Sequence, residues 1–154
     1  MEAYFTWKTK LFRNLYEIFE NEQKIGELKS SGWKRRASGE FKGKKLEFEI
    51  KGFFKPEFRI VNPEDNSLAG TFSFSTWRTK ATIVSDNRTY QWQNDNFFHT
   101  KWSISSENGN LIKYHSHFKY GEITSYTTDE LLILTGLYIR DYLQQRAAAA
   151  AAAT

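Results

Sequence analysis

The chain has no cysteine, two prolines and one methionine among its 154 residues. The first absence removes disulfide frameworks and thiolate metal sites together. No apolar run is long enough to cross a bilayer, since Arg140 and Asp141 break the stretch that starts at Leu131. Met1 to Leu15 lacks the continuous apolar core of a signal peptide, so cytoplasmic residence is the expectation. Also missing are a glycine-rich phosphate loop between strand and helix, a nucleophile elbow and a catalytic cysteine. The carboxylates are scattered over polar positions, and none pairs off as a general acid and base. No catalytic residue and no cofactor is therefore expected. What the chain has in quantity is aromatic: 13 Phe, 8 Tyr and 5 Trp. A disordered segment lacks such side chains, and this length suits one domain with a substantial core.

From Tyr4 to Tyr126 the dominant pattern has period two. In Lys45-Leu46-Glu47-Phe48-Glu49-Ile50-Lys51 every second residue is apolar and the others are charged. A strand sends successive side chains to opposite faces, so one face is buried and the other wet. Phe58 and Ile60, Phe72 and Phe74, and Tyr90 and Trp92 follow the same pattern. Two further sets, Phe98, Trp102 and Ile104, and Ile112, Tyr114 and Phe118, extend it. One-sided burial indicates an antiparallel sheet. Turn residues punctuate these runs at 62–66, 85–87, 94–96 and 107–110, with Asn108-Gly109 the strongest hairpin signal. The spacing predicts about eleven or twelve strands.

The C-terminal segment differs in kind. Thr127-Thr128-Asp129-Glu130 predicts a capping box with Thr127 at the cap, opening a helix over about 129–146. Its apolar residues, from Leu131 to Leu143, fall on all sides at 100° per residue. Such a helix is surrounded by protein or lipid, and this one is too short for lipid. A closed antiparallel barrel of about 12 strands leaves an axial hole that the helix can fill. A two-sheet sandwich is the rival, but it leaves the missing polar face of the helix unexplained. The fold is expected to occupy 1–146, with the alanine run 147–154 outside it.

The order of elements resembles the tubby C-terminal-like barrels, including LURP-one-related and phospholipid scramblase-like proteins. The resemblance rests on the basic stretch from Trp33 to Val61 with its hairpin Lys45 to Ile60, on Leu68-Ala69-Gly70-Thr71-Phe72, on Trp77, on Tyr90-Gln91-Trp92 and on the apolar helix from Glu130 to Leu143. It implies a twelve-stranded barrel around a central hydrophobic helix. For some members it also implies binding of phosphoinositide headgroups or other membrane association. The chain departs from the scramblase branch in having no membrane span, no cysteine cluster and no acidic calcium loop. No position matches a phosphoinositide site residue by residue.

Charge is uneven along the chain. Residues 29–59 hold ten basic and four acidic side chains. With Trp33, Ala37 and Phe41 inward, Lys34, Arg36 and Lys42 project outward, and with Lys44 they form the candidate anion- or headgroup-binding set. The alternation sends Arg35 inward, so either a bulge near Gly32 or Gly39 turns it out or it needs a buried partner, Asp141 or Glu130. His115 and His117 share a face and could join His99 on a metal. Their polar face also carries Lys113, and no carboxylate is evident beside them, so they count as surface histidines and no metal is expected. The expected function is a non-enzymatic binding or assembly module acting through its outer surface with a protein partner. Peripheral binding of anionic phospholipid through residues 29–59 is the alternative, and an enzyme of unknown class a second one. Nucleic acid ranks last, because aromatics interleaved with the charges are not evident.

Overall fold

The computed structural model describes residues 2–10, 14–31 and 35–153. The alternating segments form twelve strands: β1 (Ala3–Lys10), β2 (Leu15–Glu20), β3 (Gln23–Ser31), β4 (Arg36–Phe41), β5 (Lys44–Lys51), β6 (Glu57–Val61), β7 (Leu68–Phe74), β8 (Lys80–Ser85), β9 (Arg88–Asn94), β10 (Lys101–Ser106), β11 (Gly109–Ser116) and β12 (Tyr120–Ser125). Each pairs antiparallel with its neighbours in the chain, and β1 pairs with β12 to close the barrel. Closure leaves no unpaired strand edge. The sandwich alternative is excluded.

Period two sets the two faces of the wall. In β5, Leu46 and Phe48 point inward, while Lys44, Lys45 and Lys51 are exposed. Trp7, Trp92, Trp102, Tyr114, Phe41 and Phe48 are the largest wholly buried side chains. Among them runs helix α1 (Glu130–Ala152), buried without interruption from Leu131 to Ile139. Aromatic groups of the wall bond directly to its backbone. The Nε1 atoms of Trp92 and Trp102 donate to the Gly136 carbonyl at 3.2 and 3.1 Å, and the Tyr114 hydroxyl donates to Ile133 O at 2.9 Å. From the other side, Phe48 stacks on Tyr138 at 4.5 Å. The helix is thus held from several strands at once, which is why it needs no polar face.

Two local expectations are corrected. The N-cap is Asp129 rather than Thr127, its Oδ1 accepting from the N–H groups of Leu131 and Leu132. Thr127 stands one step further back, its hydroxyl accepting from the Asp129 N–H. Phe98 and Phe118 belong to no strand and are exposed. The helix itself runs on through Ala152, as the high helix propensity of alanine allows, with Ala147–Ala152 exposed.

In an up-and-down barrel successive connections lie at alternate ends. One end holds 21–22, 42–43, 62–67, 86–87, 107–108 and the helix start. Three of these are two-residue turns with positive φ at both positions: Asn21-Glu22, Lys42-Gly43 and Asp86-Asn87. That is the backbone twist hairpins prefer. The other end, where the helix emerges, holds the connections 52–56, 75–79 and 95–100, with 117–119 and Arg35.

Candidate functional site: an aromatic crown around the helix exit

Six large apolar side chains, Phe53, Phe54, Trp77, Phe97, Phe98 and Phe118, are between 81% and 101% exposed. All six lie in connections at the helix-exit end. Among the described connections there, four cations (Arg35, Lys55, Arg78, Lys119) stand against one carboxylate, Asp95. Connections at the opposite end carry six carboxylates (Glu22, Glu64, Asp65, Asp86, Glu107, Asp129) and one cation, Lys42. The molecule is therefore polar along its axis in both charge and hydrophobicity.

Local chemistry keeps the rings outside. Asn96 staples its loop, its Oδ1 accepting from the N–H groups of Thr100 and Lys101 at 3.0 and 3.1 Å. Phe97 and Phe98 are lifted to the tip, edge to face at 5.6 Å. The Ser75 hydroxyl accepts from Lys80 N–H and closes the loop that carries Trp77. Cations attend the rings: the Arg35 guanidinium lies 5.2 Å from the Phe53 ring and Lys119 Nζ 5.5 Å from that of Phe118.

Within the crown, two grooves flank the emerging helix. One, of about 390 Å³, is lined by Arg35, Arg36, Phe53, Tyr142 and Arg146. The other, of about 600 Å³, is lined by Tyr16, His117, Phe118, Arg140 and Gln144. Asp141 borders both. Its Oδ1 accepts from the Tyr16 hydroxyl at 2.7 Å and its Oδ2 from Gln145 Nε2 at 2.6 Å. Burial raises the Asp141 pKa above the usual carboxylate value despite these bonds. Desolvation likewise lowers that of Arg140, whose guanidinium sits 4.6 Å from the Trp102 ring and donates to His99 O.

The residues singled out from sequence are not gathered in one place. Lys34 lies outside the described residues. Arg36 opens β4 at the crown end, 3.7 Å from Glu49 Oε2. Lys42 in the β4–β5 turn and Lys44 just after it lie at the opposite, acidic end, a strand length of roughly 20 Å away. Lys42 is moreover 3.5 Å from Glu20 Oε1. For Arg35, the strand pairing shows no bulge at Gly39, Gly32 lies outside the described residues, and the side chain bonds to neither Asp141 nor Glu130. The residue sits just ahead of β4 with φ 55°, and its Nη2 donates to Gly52 O at 2.7 Å. His115 and His117 meet Glu122, a carboxylate the sequence pattern did not reveal, while His99 is on a different loop and outside this group. The exposed aromatics were missed as well. Their signal was available: Gly52-Phe53-Phe54-Lys55-Pro56 and Phe97-Phe98 place two rings side by side, which breaks period two.

Fold and site together define a helix-centred closed β-barrel with one aromatic, basic end. Comparisons with protein-family models, curated proteins and solved structures find no match for the chain.

Proposed function

We propose that the protein is a peripheral binder of anionic membranes that docks through the loops of its helix-exit end. The observation that carries this reading is that, among the described residues, the six most exposed rings are confined to one end and interleaved with cations. Aromatic rings partition into the interfacial zone of a bilayer, and basic side chains add about 1 kcal/mol each near an anionic surface. The acidic opposite end favours the same orientation by repulsion. The charged outer wall argues for lying on the membrane rather than spanning it, since a spanning barrel is apolar outside. No helix among the described residues is long and apolar enough to cross a membrane. The rings stand around a rim rather than along a groove. They come from four separate connections spaced around the barrel, with the helix leaving among them, whereas a nucleic-acid strand follows a linear track. For some members, membrane association is also what the resemblance to tubby-like barrels implies, here proposed through the end loops instead of the basic 29–59 stretch as a whole.

Vesicle co-sedimentation across a salt series tests the proposal, with phosphatidylserine and phosphoinositide vesicles at matched charge. Phe53→Ser with Phe54→Ser should weaken binding at least about tenfold, because burying one such ring is worth roughly 1.5–3 kcal/mol and 1.4 kcal/mol is a factor of ten. Melting should be unchanged, both rings being exposed. Wild-type protein that ignores anionic vesicles at low salt overturns the reading and leaves the crown to a protein partner, the assembly-module alternative.

A further inference from the structure

The sequence pattern separates His115 and His117 from any carboxylate, but the barrel register does not. His115 on β11 is directly opposite Glu122 on β12. His117 follows at the start of the connection, anchored by its N–H donating to Tyr120 O at 2.8 Å. Its ring stacks on that of Tyr120 at 4.6 Å and lies tilted by 42° against that of His115, 4.3 Å away. Three potential donor atoms, one from each of His115, His117 and Glu122, lie within 4.8 Å of one another. The Glu122 Oε2 atom is 3.9 Å from His115 Nδ1 and 3.7 Å from His117 Nε2. These separations are too long for hydrogen bonds. They are close to the roughly 3.4 Å that two donors take on a tetrahedral zinc with bonds of about 2.0–2.2 Å.

A second observation points the same way. His117 Nε2 is shielded from solvent and has no hydrogen-bond partner. A buried ring nitrogen is normally paired, and one left open towards a carboxylate is placed as a ligand atom would be. The surroundings hold charges of both signs. Lys101 pairs with His115 across β10–β11 and Lys113 lies two residues before it, both exposed, while Asp95 lines the same shallow pocket as His115 and Glu122.

We propose that His115, His117 and Glu122 form a binding site for a divalent first-row transition metal, with zinc the natural occupant of two imidazoles and a carboxylate. Three protein ligands leave a coordination position for water or for a further donor. The site stands on the outer wall beside the crown and does not depend on the membrane reading.

Titration calorimetry of untagged protein with Zn²⁺ tests it, together with visible spectra of the Co²⁺-loaded protein. One equivalent per chain is expected, with a Co²⁺ spectrum of low-symmetry coordination and a melting temperature raised by Zn²⁺. His117→Gln and Glu122→Gln should each weaken Zn²⁺ binding by at least the roughly 10–100-fold that loss of a mere supporting partner costs. His99→Gln, on another loop, should leave it unchanged. Glu122→Gln is isosteric, so it decides the matter if the histidine variant fails to fold. Absence of stoichiometric binding, equal affinity in Glu122→Gln, or an equal loss in His99→Gln overturns the site.

Discussion

Asp141 is a buried carboxylate next to Arg140, where the helix leaves the barrel. Tyr16, from β2, and Gln145, one turn on, both donate to it, so the group is satisfied but still poorly hydrated. Burial raises its pKa, so the folded state holds the proton to higher pH than the unfolded chain does. Its effect on stability is then most favourable below the ordinary aspartate range, and stability is lost as pH rises through the raised folded value. Asp141→Asn should remove that loss. Its melting temperature is expected to gain on wild type as pH climbs through this window, in scans at stepped pH. A gap that narrows with rising pH contradicts the assignment. Asp141→Ala should cost about 1–3 kcal/mol, because it strands the buried Tyr16 hydroxyl. Gly136 poses a different constraint at the same scale. A Cβ there overlaps the Tyr114 ring, so Gly136→Ala should cost about 1–3 kcal/mol in denaturant unfolding and break the Tyr114 bonds to the helix.

Among elements, the helix is the one whose placement the sequence made plain. Nine residues from Leu131 to Ile139 offer no polar face, and only an enclosure satisfies that pattern. Ile133→Asp or Leu134→Asp should prevent folding, since an unpaired charge at a water-free centre costs several kcal/mol, comparable with the roughly 5–15 kcal/mol stability of a domain. Soluble variants with native circular dichroism and unchanged melting oppose the central placement. Strands were legible for a related reason: period two survives wherever one face is buried. Connections were not. Phe98 and Phe118 fit an alternating pattern by spacing alone, and only the barrel's pairing shows that the chain has already left the strand at both. The grouping of His115 with Glu122 depends on cross-strand register, which no local pattern in a single strand contains. The N-cap shifted from Thr127 to Asp129 because both residues are good caps and only the turn geometry decides between them.

For the whole molecule, the separation of charge between the two ends makes position matter more than net charge. Lys55→Glu with Lys119→Glu at the crown and Lys44→Glu with Lys45→Glu at or beside the acidic end change the total equally. Only the first pair should lose binding to phosphatidylserine vesicles, and both should melt within about half a kcal/mol per site of wild type. Equal losses indicate that overall charge alone is sensed. Sequence could not supply this distinction. The same basic stretch that seemed a single patch along the chain is sent to opposite ends by a strand of six residues, Arg36–Phe41.

The order of elements also has a temporal side. All twelve strands precede the helix that fills them, so a ribosome must make the whole wall before its interior exists. Until residues 131–139 emerge, the nascent wall has inward rings such as Trp92 and Trp102 with nothing to cover them, and their indole N–H groups lack the Gly136 carbonyl. Domains whose early segments form a self-sufficient unit can fold during synthesis, N-terminal part first. This barrel is built to wait, and its window of exposure to aggregation and to chaperones is set by the time taken to translate the strands that precede the helix.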